Sequence, residues 1–462
     1  MLTSVYSPFP FFIKVSTAMS ELKEIKPNPE ELTSLTSENV NSNCVKIWIN
    51  RLKPRNEFNR NVLTLMTGTT IAQIIPIAIS PILTRIYLPE DFGLFALYLA
   101  ISGLMAVGAT GRYEMAIILP KENSMAVYLI LLSVTILICL VSVGLLFNSV
   151  GYFIYDYNPI YLTIPLIVSF IGLNNVLDKY NNRIKDYKMM SYQRLTKTSV
   201  ESIVSIFSGI IFSLKQGLIY GSILGFLSSF LLMLSKNHSM LKESIRKSSK
   251  KDVGAAAHRY KNFPLYNMPH AVLNTFSADI PIFLIPIFFG NTTLGFYAFG
   301  LKIVQAPLHL ISMSVHNVLS QKMAEMHSNK KDLRPIFWQT LKKLVWVVII
   351  AIPFILFADK IFALVFGKEW REAGEYIQLL SIWLFMTFIV SCFASIPYIF
   401  DRQRKALILE IIYSLTRILP YVIGAYFFKF NIKEVIVLYT VLATLLLLYS
   451  FYWYYSLIKK NI

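Results

Sequence analysis

The sequence predicts an all-α polytopic membrane protein: about twelve transmembrane helices in two pseudo-symmetric six-helix bundles. Three observations predict it. Of 462 residues, 55% are hydrophobic and only 15% charged, against roughly 45–50% and about 25% in an average soluble domain. The mean hydropathy is +0.54. Apolar runs long enough to cross a bilayer, which takes about 20 residues each, succeed one another from residue 62 almost to the C-terminus. This composition excludes an ordinary soluble enzyme. The net charge of +18 would point to nucleic acid in a soluble chain. Here basic loops facing anionic lipid account for it, and no nucleic-acid partner is expected.

The first 55 residues differ from the rest. Runs such as NPEELTSLTSENVNSN are polar and Pro-bearing, too poor in apolar surface to order themselves, and read as a disordered cytoplasmic tail. The opening MLTSVYSPFPFFIKVSTAM lacks a charged n-region and is broken by prolines, so it does not read as a signal peptide; Met19 is an alternative start. The spans are then expected at 62–84, 92–111, 125–147, 159–177, 195–214 and 217–235, followed by 266–289, 294–318, 341–358, 377–400, 406–428 and 435–458. Runs of this length are helices, because barrel strands would alternate over about ten residues. The expected organisation is a tail (1–55), an N-terminal bundle (56–235), a basic cytoplasmic linker (236–262) and a C-terminal bundle (263–462).

Basic residues orient the chain. With the N-terminus inside, 35 of the 44 Lys and Arg fall on the cytoplasmic side and 7 outside, a bias that places both termini in the cytoplasm. Cys44, Cys139 and Cys392 give neither a disulfide framework nor metal-ligand spacing. No metal and no cofactor are expected. The two halves carry a repeat: GLFALYLAI from Gly93 and GFYAFGLKI from Gly295 align at Gly93/Gly295, Ala96/Ala298, Leu99/Leu301 and Ile101/Ile303. Each follows a span holding two prolines, Pro76 and Pro81 in one and Pro281 and Pro286 in the other. Six helices per half keep the copies parallel, a pattern of transporters.

Several spans bear polar stripes. In span eight Lys302, Gln305, His309, Ser312 and His316 share one helical face. Span seven continues the pattern with Asn267, His270, Asn274 and Ser277, with Asp279 off the stripe. Span five carries Arg194, Thr198, Glu201, Ser205 and Ser208, and span eleven Glu410, Ser414, Arg417 and Tyr421. A charge at the bilayer centre costs at least about 2.5–3.5 kcal/mol on insertion scales, so each is a functional candidate. Other readings stay open. The histidines also suit interhelical hydrogen bonds, Glu410 and Arg417 suit neutralisation of neighbouring helices, and Lys302 suits snorkelling. The prolines suit simple kinks.

The segment from Arg60 to Pro120, including LTRIY and TGRYE, resembles the opening of Wzx-type polysaccharide (O-antigen) flippases. FPLYNMPHAVLNTFSADIPIFLIPIFFGNTTLGFYAFG from Phe263 and FGKEWREAGEYIQLL from Phe366 resemble their second half. The likeness runs through about residues 58–460 and implies membership of the multidrug/oligosaccharidyl-lipid/polysaccharide exporter superfamily. It further implies two bundles in an inverted V with alternating access, and a cargo of undecaprenyl-diphosphate-linked oligosaccharide crossing a bacterial inner membrane. Such a cargo serves surface polysaccharide or lipopolysaccharide synthesis. Arg85, Arg112 and Glu114 belong to the family pattern and are expected to act in gating or structure, together with Pro76 and Pro81.

A diphosphate needs cations it can leave again, which Lys302 and Arg417 supply. Gln305, His309, His316, His270 and Asn274 complete the expected substrate path. Glu201, Asp279 and Glu410 are the candidates for coupling to H+ or Na+. Membrane lipids and other polysaccharide assembly proteins are the remaining expected partners. The chain has no Walker motif and is not expected to be an enzyme. Its alternatives are a lipid II or drug exporter of the same architecture and, from another class, a membrane polysaccharide polymerase or ligase. The last would carry a large outer-face loop, whereas the longest outward loop expected here is about 18 residues near Asp359 to Gly374.

Overall fold

A computed structural model of the protein describes residues 57–155, 158–247 and 249–460. The tail expected over 1–55 lies outside the described residues. Among the described residues there are helices and no strand, each helix pairing its own backbone groups where a bilayer offers no hydrogen-bonding water. Eleven helical stretches are long and apolar enough to cross a membrane. One of them, Phe263–Ser328, holds spans seven and eight: its helix Met268–Ser328 reverses at Gly290, whose φ of 84° breaks the helical path. The described residues therefore hold twelve helices able to cross a membrane.

Helices outrun the apolar runs that announce them. Span five begins at Tyr187, not 195, because Asp186 caps it by accepting from the Met189 N–H at 3.1 Å. Span four continues to Arg183, beyond the expected 177, where the Arg183 guanidinium donates to the Pro120, Lys121 and Glu122 carbonyls. Span nine starts at Arg334, seven residues early, with Pro335 in its first turn. The stretch near Asp359 to Gly374 is no loop. It folds into a short helix, Ala358–Phe366, and a 3-10 turn, Lys368–Trp370.

Spans one to six and seven to twelve form two lobes, and the repeat seen in the sequence lies where they meet. Span two (Pro89–Ala109) crosses span eight at Gly93 and Gly295. A methyl group on Gly93 would sit 1.9 Å from the Asn291 carbonyl oxygen, and one on Gly295 would sit 1.8 Å from that of Pro89. The two collisions are mirror statements of one pseudo-two-fold crossing, since 291 and 89 differ by the same 202 residues as 295 and 93. Only glycine lets two backbones approach so closely.

Within the first lobe small residues tighten the packing. Gly68 abuts Ser191, Gly221 abuts Ser205 and the Glu201 carbonyl, and Gly225 abuts the Lys197 carbonyl, which draws spans one, five and six together. Asn174 joins spans four, five and six. Its amide donates to the Phe170 and Phe226 carbonyls, and its oxygen accepts from Gln193 and Ser229. The second lobe is looser at the matching place: span eleven buries no residue over Gln403–Leu419 and only Pro420, Tyr421 and Gly424 beyond it, whereas its counterpart span five buries eight.

Gly93→Ala and Gly295→Ala should each force the lobes apart, lowering the thermal midpoint of the detergent-solubilised protein by several degrees. Gly103→Ala, whose added methyl meets nothing within 4 Å, should leave it unchanged or slightly raised. Tryptophan fluorescence on heating reads all three.

Candidate functional site

Around the glycine crossing, aromatic rings seal one face of the protein. Trp370, from the turn before span ten, is 1% exposed. It packs edge-on against Phe92 and Phe296, with ring centres at 4.9 and 5.9 Å, and lies 4.5 Å from Phe299. Its indole N–H donates to the Thr84 carbonyl at 3.1 Å. A side chain of the second lobe is thereby fastened to the end of span one in the first. Arg371 holds the same segment, donating to Asp359 at 3.1 Å.

Below the seal lies a cavity of about 680 Å³, built from spans seven, eight, ten, eleven and twelve. Its polar lining includes Asp279, Lys302, Gln305, Glu410 and Arg417. It extends to Ala394 and Ala406, beside the Phe400–Arg402 turn on the opposite face. Lys302, Gln305 and Glu410 are exposed although they sit on membrane helices, because they face this space. Among the described residues Lys302, Asp279 and Glu410 make no side-chain hydrogen bond or ion pair, so their polar atoms are free for a ligand. Asp279 lies within electrostatic reach of Arg417.

Lys302 also borders a smaller cleft between the lobes, lined by Pro76, Ser80, Phe95, Glu201, Ser202 and Ser205. Its ammonium lies within reach of Glu201 and 6.0 Å from the centre of the Phe95 ring. Glu201 is bound on its own helix by Lys197 at 3.2 Å, an i,i+4 pair. Lys197 in turn lies 4.3 Å over the Phe226 ring.

The TGRYE turn sits at the other end of span two. Gly111 and Arg112 both take φ near 60°, turning the chain sharply into the 3-10 segment Tyr113–Ile118. The Arg112 guanidinium reaches Glu114 at 3.6 Å and donates to Asn267 at 3.1 Å, tying span two to the start of span seven. Glu114 is 3% exposed and accepts from the Thr110 hydroxyl. Burial pushes its carboxyl above the ordinary range, and Thr110 and Arg112 oppose that rise. Tyr113 donates to the Ala257 carbonyl at 3.2 Å, docking the helix Lys250–Arg259 on this junction.

The expected residues therefore separate into groups. Lys302, Gln305, Asp279, Glu410 and Arg417 share one cavity, while Glu201, Pro76 and Lys302 share the cleft between the lobes. His270, Asn274, His309 and His316 line neither space. His316 turns toward Ser320, 3.4 Å away. Pro81 stays within span one, where Thr84 donates to its carbonyl. Arg85 is exposed.

A family model described as "Polysaccharide biosynthesis protein" matches residues 82–375. The chain belongs to this family. No curated protein matches the sequence. Among solved structures it is similar to the lipid II flippase MurJ in an inward closed conformation, with 14% identity, 86% of this chain and 90% of that one covered, and a TM-score of 0.63. It is also similar to a MOP superfamily transporter from Pyrococcus furiosus whose binding pocket is described as of reverse polarity (13%, 87% and 96%, 0.56). A third likeness is to a multidrug resistance MATE family transporter in its outward-facing conformation (14%, 87% and 96%, 0.55). At these identities the likeness is one of fold. It agrees with the helical, two-bundle fold expected from the sequence.

In this polysaccharide biosynthesis protein several site residues carry no polar-stripe signal. Trp383, Tyr413, Tyr439 and Tyr454 line the cavity, yet in the sequence they count as apolar. Lys197 also stands outside the polar stripes, and its i,i+4 spacing to Glu201 is the signal that marks it. Trp370 lay within a stretch expected to be an outward loop.

Trp370→Ala should destabilise the protein by about 3–5 kcal/mol, the usual cost of deleting a fully buried Trp. Glu114→Ala, which leaves Thr110 and Arg112 without their carboxylate, should cost about 1–3 kcal/mol, and Glu114→Gln clearly less. Thermal midpoints in detergent test both.

Proposed function

We propose that this protein translocates an undecaprenyl-diphosphate-linked oligosaccharide across a bacterial inner membrane by alternating access, for assembly of a surface polysaccharide. One observation carries the reading. Free polar groups of both signs line a cavity between membrane helices of the second lobe, and span eight, which lines it, also carries the glycine crossing that joins the lobes. The family's role in polysaccharide biosynthesis supports the class of cargo. The basic bias of the loops supports cytoplasmic termini, with segment 236–262 linking the bundles 56–235 and 263–462. In that orientation the Trp370 face is the outer one, and the cavity reaches toward the cytoplasm.

Lys302 stands where cavity and interlobe cleft meet, so a headgroup moving between them passes its ammonium. Arg417 offers planar donors to the same headgroup. The lipid tail stays in the bilayer while the head crosses. Two outward-moving negative charges gain about 4.6 kcal/mol per 100 mV of inside-negative potential, at about 2.3 per charge. That gain alone can set direction, so coupling through Glu201, Asp279 or Glu410 is an addition to the mechanism rather than a condition of it. The protein performs no covalent chemistry in this reading.

The test is movement of a fluorescent undecaprenyl-diphosphate oligosaccharide in proteoliposomes, with and without an imposed potential. Wild type should be potential-sensitive, and Lys302→Ala and Arg417→Ala should each fall at least tenfold, with Lys302→Arg partly restored. No movement by folded wild type would overturn the cargo. In cells, lipid-linked subunits stranded on the inner leaflet in Arg417→Ala support the flippase, whereas unpolymerised subunits collecting outside would favour a polymerase. Opening of the outer seal has its own readout. In a chain lacking Cys44, Cys139 and Cys392, Ser80→Cys should react several-fold faster with an impermeant thiol reagent added outside when Trp370 is replaced by Ala.

A further inference from the structure

The lining of the large cavity is formally balanced. Asp279 and Glu410 offset Lys302 and Arg417, so the space as a whole favours neither a polyanion nor a cation. What distinguishes it is aromatic: Trp383, Tyr413, Tyr439 and Tyr454 sit among free donors and acceptors. A ligand matched to it has apolar faces, many hydroxyl edges and no net charge of its own. Sugar rings have that chemistry, with C–H faces that lie on the electron-rich face of an aromatic ring and hydroxyls that both donate and accept.

One aromatic residue is held ready. The Trp383 indole N–H donates to the Tyr413 hydroxyl at 2.8 Å, fixing the far end of the ring. The Arg417 guanidinium carbon lies 4.6 Å from the centre of the same ring, covering one side of it. Trp383 is itself fixed, 6% exposed and edge-on to Tyr439 at 5.2 Å. Tyr413 alone of this trio with Tyr439 keeps substantial exposure, half-buried and facing the cavity. A side chain with two torsions, both already set, binds with little further ordering.

We propose that Tyr413, braced by Trp383 and Arg417, is a stacking platform for a sugar ring. The cavity of spans seven to twelve then takes the neutral glycan of the cargo, and Lys302 at its edge meets the phosphates. This deepens the function proposed above and rests on it for the identity of the cargo. Glu410 and Gln305, exposed in the same space, accept from and donate to the sugar hydroxyls. Tyr413 is a residue of glycan selectivity, and Trp383 positions it.

Two measurements separate this proposal from that function. The first uses lipid-linked oligosaccharides extracted from the source cells, compared in proteoliposomes with undecaprenyl diphosphate bearing no sugar. In Tyr413→Leu the ratio of glycan-bearing to glycan-free transport should fall about tenfold, through KM rather than maximal rate. Tyr413→Phe, which keeps the ring, should recover most of it. Lys302→Ala should lower both cargoes and leave the ratio within about twofold. An unchanged ratio in Tyr413→Leu would overturn the platform while leaving the flippase standing.

The second uses the free glycans, released from the same lipids by mild acid, titrated into detergent-solubilised protein. Wild-type tryptophan fluorescence should change on saturation, and that change should be lost in Trp383→Phe and in Tyr413→Leu. Superimposable titrations of the three proteins would overturn the proposal. A glycan-dependent signal in a wild type that moves neither cargo would overturn the flippase and leave the platform.

Discussion

The contact on which the rest of the structure depends is the crossing of spans two and eight at Gly93 and Gly295. Two helix backbones touch there without an intervening side chain. No hydrophobic drive pulls helices together inside lipid, so close van der Waals approach between small residues has to supply the attachment. The crossing fixes what surrounds it. Phe92 on one helix and Phe296 and Phe299 on the other are brought against Trp370. Lys302 is seven residues from Gly295, two turns along the same face of span eight, and so falls at the boundary between the lobes.

A shared repeat does not make the lobes equivalent. Glycine and serine contacts close the first lobe, and the Asn174 network leaves little room among spans four, five and six. In the second, span eleven buries no residue between Gln403 and Leu419, and the volume not filled by packing there becomes the cavity. The difference lies in residue size. Gly209, Gly217, Gly221 and Gly225 bring spans five and six against their neighbours, whereas span eleven presents Glu410, Tyr413 and Arg417, which are too large to be packed that way. The lobe that departs from close packing is the one that holds the free polar groups.

Much of this was legible in the sequence. The number of spans and the place of the repeat follow from periodicity, and the cost of charge in lipid singles out Lys302, Asp279, Glu410 and Arg417 one by one; that they share one cavity with Gln305 does not. The stripe on span eight predicted too much, because a helical face says nothing about where a cavity ends. His309 and His316 continue the face of Lys302 but lie outside the space that Lys302 borders. Trp383 and Tyr413 were illegible for the opposite reason: an aromatic ring on a membrane helix has the hydropathy of a lipid-facing residue, and only the hydrogen bond between them marks it as inward. The ends of spans four and five were misplaced because polar residues such as Asp178 and Arg194 interrupt the apolar run without interrupting the helix.

Span eight takes part in both the seal and the cavity. Gly295, Phe296 and Phe299 belong to the first, and Lys302 and Gln305 to the second, all within three turns of one helix. A ligand changes the balance between two conformations only by binding them unequally, and a shift from 1:99 to 99:1 takes about 5.5 kcal/mol of difference. Under the proposed function, a headgroup seated at Lys302 touches a helix whose other end packs against Trp370, so any displacement that improves its contacts strains the ring cluster. Pro307, five residues beyond Lys302, removes a backbone N–H from the same helix and weakens its continuity on the far side. Movement imposed at Lys302 is therefore transmitted more stiffly toward the seal than away from it. Under the proposed function, the residue that meets the cargo and the contact that closes the outer face are joined by seven residues of unbroken helix.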